Sequence, residues 1–398
     1  MDPIPSNNDV VTEILLHLPT KSLLRFRAVC KSWRDSIDSR AFRKSHTQQH
    51  EEEEDDDDTA LLQFSFHRDR VSQLSMMFPP NGSSYNNFPA LAEFFDDHLK
   101  PAVTLTETGR EVTERGSFVR IVGPVNGLIC IHHRNSNGPI AVCNPSLGKI
   151  NILPVSPACS FHQNHRRTID RDVGIGFDEA AQDYKVVQVL SCRGHRGFHA
   201  SVYSRATDSW RELGRGGVID HDQLYIRSPI KSSRKNGSFS HWLAIRKVGG
   251  DEYEHEMVSL DVKNEVFRML EMPDYESLNW FVHGDIKIFA KGDDSFVLFN
   301  YCVIDMNNWK APKWLKIFGS RIEEDTLRWD VMTSIGPFCS GVIPMALWKT
   351  DCVVLKDFSK RKKELIIYDY CAKEFVGRFE MKTCDSEIFE YRGSIALP

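Results

Sequence analysis

The residues of this chain that come nearest to a chemistry are two runs of thiol and imidazole donors. Cys192, His195 and His199 follow one another closely, and Cys159, His162 and His165 form a similar run some thirty residues earlier. Donors of these types can close a tetrahedron around zinc. Neither run has the spacing of a standard finger, and both fall in Arg- and Gly-containing loops beside expected strands, so ordinary surface loops outweigh a metal centre. Gly174-x-Gly176 would open a dinucleotide fingerprint, but Glu179 stands where the third glycine belongs, and no phosphate-binding or nucleophile-elbow glycine motif occurs. Lys360-Arg361-Lys362-Lys363 has the make-up of a nuclear-import patch. A solvated hairpin turn between strands ending near Lys356 and beginning near Glu364 accounts for it more simply. Trp242, Trp280, Trp309, Trp329 and Trp348 could line a recognition face, although aromatics in β-rich chains more often fill the core. No catalytic residue, metal or cofactor is expected.

What must position any binding surface is therefore the larger question. The 398 residues are 41% apolar and 26% charged, as in ordinary globular proteins. A net charge of -5 argues against a nucleic-acid partner, whose footprint would be strongly basic. No apolar run is long enough to span a membrane. The first residues lack the basic start and apolar stretch of a secretory signal, and the ten cysteines form no C-x-x-C pair. A protein of cytoplasm or nucleus with reduced thiols is expected, in which the N-x-S sequons at Asn81 and Asn236 are chance matches.

From Asp9 to Phe42 apolar residues recur at helical spacing: Val10, Val11, Ile14, Leu15 and Leu18, then Leu23, Leu24, Ala28 and Val29, then Trp33 and Ile37. Three short helices are expected, with Pro19-Thr20 and Cys30-Lys31-Ser32 at the breaks. A unit this small buries too little surface to stand alone, so its stripe needs a partner, either the rest of the chain or another protein. Periodicity does not choose between them. The residues do: the run from Glu13 to Trp33, with Leu18-Pro19, Ser22-Leu23-Leu24 and Val29-Cys30-Lys31-Ser32-Trp33 as landmarks, resembles the F-box consensus nearly position by position. That resemblance implies docking onto a Skp-family adaptor and, through it, a cullin scaffold. The implied contact residues are Val10, Ile14, Leu15, Leu18, Pro19, Leu23, Leu24, Val29, Cys30, Trp33 and Ile37, amid the basic Lys21, Arg25, Arg27 and Lys31. Ile4-Pro5 lies two residues further upstream of Asp9 than the family's opening Leu-Pro, which bears on the first adaptor contact.

Glu51 to Asp58 are consecutive acids and read as a solvated, disordered linker. The expected organisation is a module at 1–46, an acidic linker at 47–60 and a β-rich domain at 61–398. In the latter, short β-branched and aromatic runs alternate with Gly, Asn, Asp and Ser turns. A unit of polar anchor and large apolar residue six positions later occurs at Asn144 with Ile150, Ser204 with Trp210, Asp261 with Phe267 and Asp369 with Phe375. A looser fifth copy pairs Asp305 with Trp314. The spacing of these anchors is close to a kelch-like period. The fold class expected is α+β, a three-helix module followed by a mostly antiparallel β-propeller with room for six or seven blades, of which five are legible. An irregular β-sandwich is the alternative. Val125-Asn126-Gly127-Leu128, Cys143-Asn144-Pro145-Ser146, Gly174-Ile175-Gly176-Phe177-Asp178 and Asp183-Tyr184-Lys185-Val186-Val187 resemble the F-box-associated domain of plant F-box proteins. The two resemblances together imply a non-catalytic adaptor that presents a protein target, itself unidentified, for ubiquitination and degradation. The rival is a propeller enzyme or lectin-like binder with a small-molecule site in its funnel and the helices used for oligomerisation.

Overall fold

The structure, a computed structural model, describes residues 7–52, 59–67, 70–78, 83–85, 103–105, 111–113, 119–133, 138–156, 169–178, 181, 183–192, 198–213, 224–232, 237–249, 252–273, 286–303, 313–323, 326–338, 342–349, 351–357, 364–381 and 385–398. Four helices come first: α1 (Asn7–Leu16), α2 (Thr20–Phe26), α3 (Lys31–Asp38) and α4 (Arg40–Glu52). Pro19 precedes the first turn of α2, where a missing N–H costs nothing. Cys30 caps α3 by accepting from the Trp33 amide on its sulfur at 3.4 Å. Three helices were expected and four are found. The missed boundary is Ser39, whose hydroxyl accepts from the Phe42 amide at 3.2 Å and starts α4 one residue after α3 ends. Helix α4 takes in Glu51 and Glu52, and the first strand begins at Thr59. Ile4-Pro5 and residues 53–58 lie outside the described residues.

The rest of the described chain forms a six-bladed propeller, with one separate two-stranded pair at Val103–Leu105 and Glu111–Thr113. Blade two is Val119–Val125, Leu128–His133, Ile140–Asn144 and Lys149–Ile152. Blade three follows with Ile169–Asp178, Asp183–Cys192, Phe198–Ser204 and Ser209–Glu212. Blade four comprises Leu224–Pro229, Phe239–Gly249, Glu252–Asp261 and Val266–Leu270. Blade five has Lys287–Gly292, Ser295–Val303, Lys313–Glu323 and Thr326–Phe338, with Lys231–Ser232 added parallel along its inner edge. Blade six is Val342–Trp348, Cys352–Asp357, Glu364–Asp369 and Glu374–Glu380. Blade one closes the ring: Asp385–Arg392, from the far end of the chain, pairs antiparallel with Thr59–His67, which is followed outward by Arg70–Phe78 and Ser83–Tyr85. Joining the first and last strands in one sheet closes the ring through backbone hydrogen bonds.

The six-residue repeat has a physical cause. In blades two, four and six the anchor side chain caps the turn between third and fourth strands: Asn144 Oδ1 accepts from the Ser146 amide at 2.9 Å, Asp261 Oδ1 from Asn264 at 2.9 Å, and Asp369 Oδ1 from Ala372 at 2.7 Å. In blade three Ser204 instead donates to Asp183 Oδ2, which also accepts from the Ala206 amide. Four residues after each anchor the chain turns left-handed, at Gly148 (φ 61), Asp208 (φ 47), Glu265 (φ 59) and Lys373 (φ 60). The apolar residue of the repeat then pairs across the ladder, as in Tyr203↔Trp210 and Leu260↔Phe267. The fifth copy is a misreading: Val303 and Trp314 flank the connection between second and third strands of blade five, not third and fourth, and Asp305 lies outside the described residues.

Alternation along each strand feeds two cores at once. Ile129 and Ile131 pack toward blade one, while Leu128 and Cys130 pack toward blade three. Val297 and Phe299 join blade six, whereas Phe296 and Leu298 join blade four. Gly174 and Gly176, on the inner strand of blade three, have a structural use: a Cβ at Gly174 would lie 2.5 Å from Trp242 and one at Gly176 would lie 2.3 Å from Val262, both on blade four. Trp242 and Trp348 are buried core residues, Trp329 is half-buried with its indole N–H on Glu271 O at 2.8 Å, and Trp280 and Trp309 lie outside the described residues.

Candidate partner-binding surface

The helical module divides the expected contact residues into an inside and an outside. Leu15, Leu23 and Ile37 are at most 2% exposed and form a core with Phe42 and Ile395. Touching a partner would require opening that core. Leu18, Pro19, Leu24 and Trp33 are half-buried, and Cys30 is exposed. Val10 (46%), Ile14 (58%) and Val29 (61%) are exposed apolar side chains. Trp33 is braced edge-on by Phe26 at 5.4 Å between ring centroids, and the His46 imidazole donates to Leu18 O at 2.9 Å, which pins α4 to the loop before α2. The periodic pattern identified the apolar stripe but not which half faces inward, because Phe42 and Ile395 were not part of it.

Charge fixes the angle between helices. Arg27 reaches Asp38 through two hydrogen bonds, each 2.7 Å, and Arg43 donates to Asp38 O. The Arg27 hydrogen bond holds the Asp38 carboxyl below its ordinary range, against burial that would raise it, with the Arg27, Arg43 and Lys149 charges adding to the lowering.

The module is seated on blades two and three. Thr20 Oγ1 donates to Gly393 O at 3.0 Å and Arg40 donates to Ala181 O at 3.4 Å. Residues 393–398 run between helices and propeller, with Asn144 Nδ2 donating to Ser394 O at 2.9 Å and Ala396 O at 2.8 Å. At the centre of the ring, Lys231 reaches inner strands of two other blades: its ammonium donates to Met345 O of blade six at 3.4 Å and to Ile388 O of blade one at 3.2 Å, sits 3.6 Å from Glu387, and lies 4.3 Å from the Phe389 ring centroid. Burial lowers its pKa and Glu387 opposes that shift.

The other sequence candidates lie in part or wholly outside the described residues. Cys192 pairs with Ile169 and His199 with Leu190 on blade three, while Cys159, His162, His165 and His195 are not among the described residues. The basic run 360–363 falls in the connection between paired strands ending at Asp357 and beginning at Glu364, also outside them. Among the described residues, no helix is long and apolar enough to cross a membrane.

Comparison with known proteins bears on both parts of the chain. A family model for the F-box domain matches residues 7–45, and one for the F-box associated beta propeller domain matches residues 100–391. An F-box protein of Arabidopsis thaliana is 25% identical over 406 residues, covering 98% of this chain and 93% of that one. An F-box/kelch-repeat protein of the same plant is 26% identical over 252 residues, covering 62% of this chain and 63% of that one. Among solved structures, apo AztD from Citrobacter koseri aligns with a TM-score of 0.36 at 11% identity, covering 84% of this chain and 99% of that one. A likeness that weak has no bearing on function.

Proposed function

The chain belongs to the F-box proteins that carry an F-box associated beta propeller domain, and from that premise we propose that it is the target-recognition adaptor of a Skp-cullin-F-box ubiquitin ligase. The observation that carries this reading is the exposure of Val10, Ile14 and Val29 on a module whose own core is already filled. Val10 and Ile14 lie one turn apart on the same face of α1, and exposed apolar side chains that adjoin one another mark an interaction surface where ones scattered singly do not. The contact set is then Val10, Ile14, Leu18, Pro19, Leu24, Val29, Cys30 and Trp33, seated on Skp-family adaptor and joined through it to cullin. Loops of the propeller away from the module hold a protein target, and the complex acts by proximity, raising the concentration of target lysines near the conjugating enzyme. The propeller supplies no nucleophile in this reading, and the work is done in cytoplasm or nucleus.

Capture of a purified Skp-family adaptor by the full chain tests it. Replacing Ile14 and Val29 by Asp, which leaves the module core intact, is expected to weaken capture by at least tenfold, or about 1.4 kcal/mol, as loss of central apolar anchors does. Undiminished capture by the double variant would remove the interface assignment.

A further inference from the structure

We infer that residues 393–398 are a strut that fixes the helical module on the propeller, and that Asn144 and Ile395 are thereby positioning residues for ubiquitin transfer; the second half rests on the adaptor reading above. The strut alternates sides as extended chain does. Ile395, 3% exposed, completes the module core with Leu15, Leu23, Ile37 and Phe42. Its neighbours turn the other way: Ser394 Oγ donates to Asn126 O at 2.6 Å, and Ala396 packs into the core shared by blades two and three. Thr20 of α2 closes the joint from above on Gly393 O.

Two sequence motifs form the socket. In Val125-Asn126-Gly127, the Gly127 backbone has φ 70, and a Cβ there would lie 2.5 Å from Ser394 Oγ. In Cys143-Asn144-Pro145-Ser146, Ser146 Oγ lies 2.9 Å from Tyr391 OH, and a Cβ on Gly393 would come within 2.8 Å of that Ser146 oxygen. Asn144 itself explains why this blade departs from the aspartates used at the same turn position in blades four and six. Its Oδ1 does what Asp261 and Asp369 do, capping the turn, while its Nδ2 supplies two donors to strut carbonyls that a carboxylate lacks.

Asn144→Asp therefore keeps the turn and breaks the strut, without touching the module core. In the full chain, spin labels at Lys44→Cys on α4 and Ala372→Cys on blade six, with reactive native cysteines replaced by Ser, should give one narrow distance. Asn144→Asp and Ile395→Asp should broaden that distribution at least twofold, and Ile395→Val should leave it narrow. If Ile395→Asp unfolds the module, Asn144→Asp alone decides. A narrow distribution in Asn144→Asp overturns the strut. In a reconstituted ligase with adaptor and cullin, Asn144→Asp should capture adaptor normally yet spread self-ubiquitination over at least twice as many propeller lysines as the parent chain. Broadened distances with an unchanged lysine set would overturn the positioning half. Failure of the parent chain to capture adaptor would overturn the function proposed above, while the distances would still decide the strut.

Discussion

Each propeller blade hides its two apolar faces against two neighbours, whereas the helical module fills its core with its own Leu15, Leu23, Ile37 and Phe42 and one residue from elsewhere, Ile395. The ring has redundancy: the core between blades two and three draws on Val122, Leu128, Cys130, Val142, Val173, Ile175, Val186 and others. The module has less: around its five buried members only partly buried side chains such as Val11, Leu16 and Phe26 pack, and a helical unit of its size has little surface to bury in the first place. Two modes of stability follow. The propeller is sealed by closure, its last strand paired to its first, while the module is stable as a passenger seated on the propeller's end. A boundary in sequence, marked by the acidic run, is thus not a boundary in packing, because the chain returns to the module after finishing the ring.

The largest effect that could break this comparison is expected from Leu23→Ala. Leu23 is fully buried in a core of five such residues, and truncations of this kind cost about 2–5 kcal/mol. Hydrogen exchange should show protection lost from α1, α2 and α3 while the inner strands of the propeller keep theirs. Joint loss of protection in both regions would mean that the propeller leans on the module as much as the reverse.

A second, intermediate effect concerns the propeller alone. His241, on the second strand of blade four, is 4% exposed, stacks on Phe239, and meets Phe296 edge-on at 4.9 Å. Neither ring nitrogen has a hydrogen-bond partner in the structure. Burial, helped by the Arg268 charge, depresses its pKa from the ordinary 6.5 to about 3. A folded pKa below the unfolded one means the unfolded chain binds the proton first, so stability falls as pH drops from about 6.5 toward about 3. His241→Phe should flatten that stretch of the pH profile. It should also raise stability near neutrality by about 1–3 kcal/mol, since an unpaired buried N–H is removed. A profile in which the variant and parent stay parallel through that window would show that His241 is solvated in solution.

How much of this was open to sequence reasoning depended on whether the cause was local. The third-to-fourth strand turns were legible because a polar anchor and a large apolar residue six positions on recur at fixed spacing, whereas the left-handed residue between them is Gly148, Asp208, Glu265 or Lys373 and leaves no common letter. The same logic misplaced Asp305, since Val303-Ile304-Asp305 offers the right letters at a different turn. Blade one left no repeat to read: its inner strand, Asp385–Arg392, is separated from its neighbour Thr59–His67 by the whole ring, and register between them is set by closure rather than by a turn. The apolar stripe of the module was legible from its period, but its inward face was not. That depended on Ser39 starting a fourth helix and on Ile395, an apolar residue in a short tail without periodicity.

The smallest effect is expected where the module is held by charge rather than by packing. Arg27 and Asp38 share two short hydrogen bonds, yet their side chains are 34% and 36% exposed, so water competes for both. Such pairs contribute about 1 kcal/mol or less, screened further by salt. Because Arg27 holds the Asp38 pKa below its ordinary value, the pair's contribution is present above the unfolded carboxylate range and is lost as pH falls through the folded value. Arg27→Met should therefore destabilise the module slightly at neutral pH and not at all in acid, where the parent has already lost the pair. Thermal or denaturant melting of the module, followed by exchange at α2 and α3 across that pH range, reads the difference. A loss as large as that of Leu23→Ala would place the Arg27–Asp38–Arg43 cluster, and not the shared core around Ile395, at the centre of what holds the helices together.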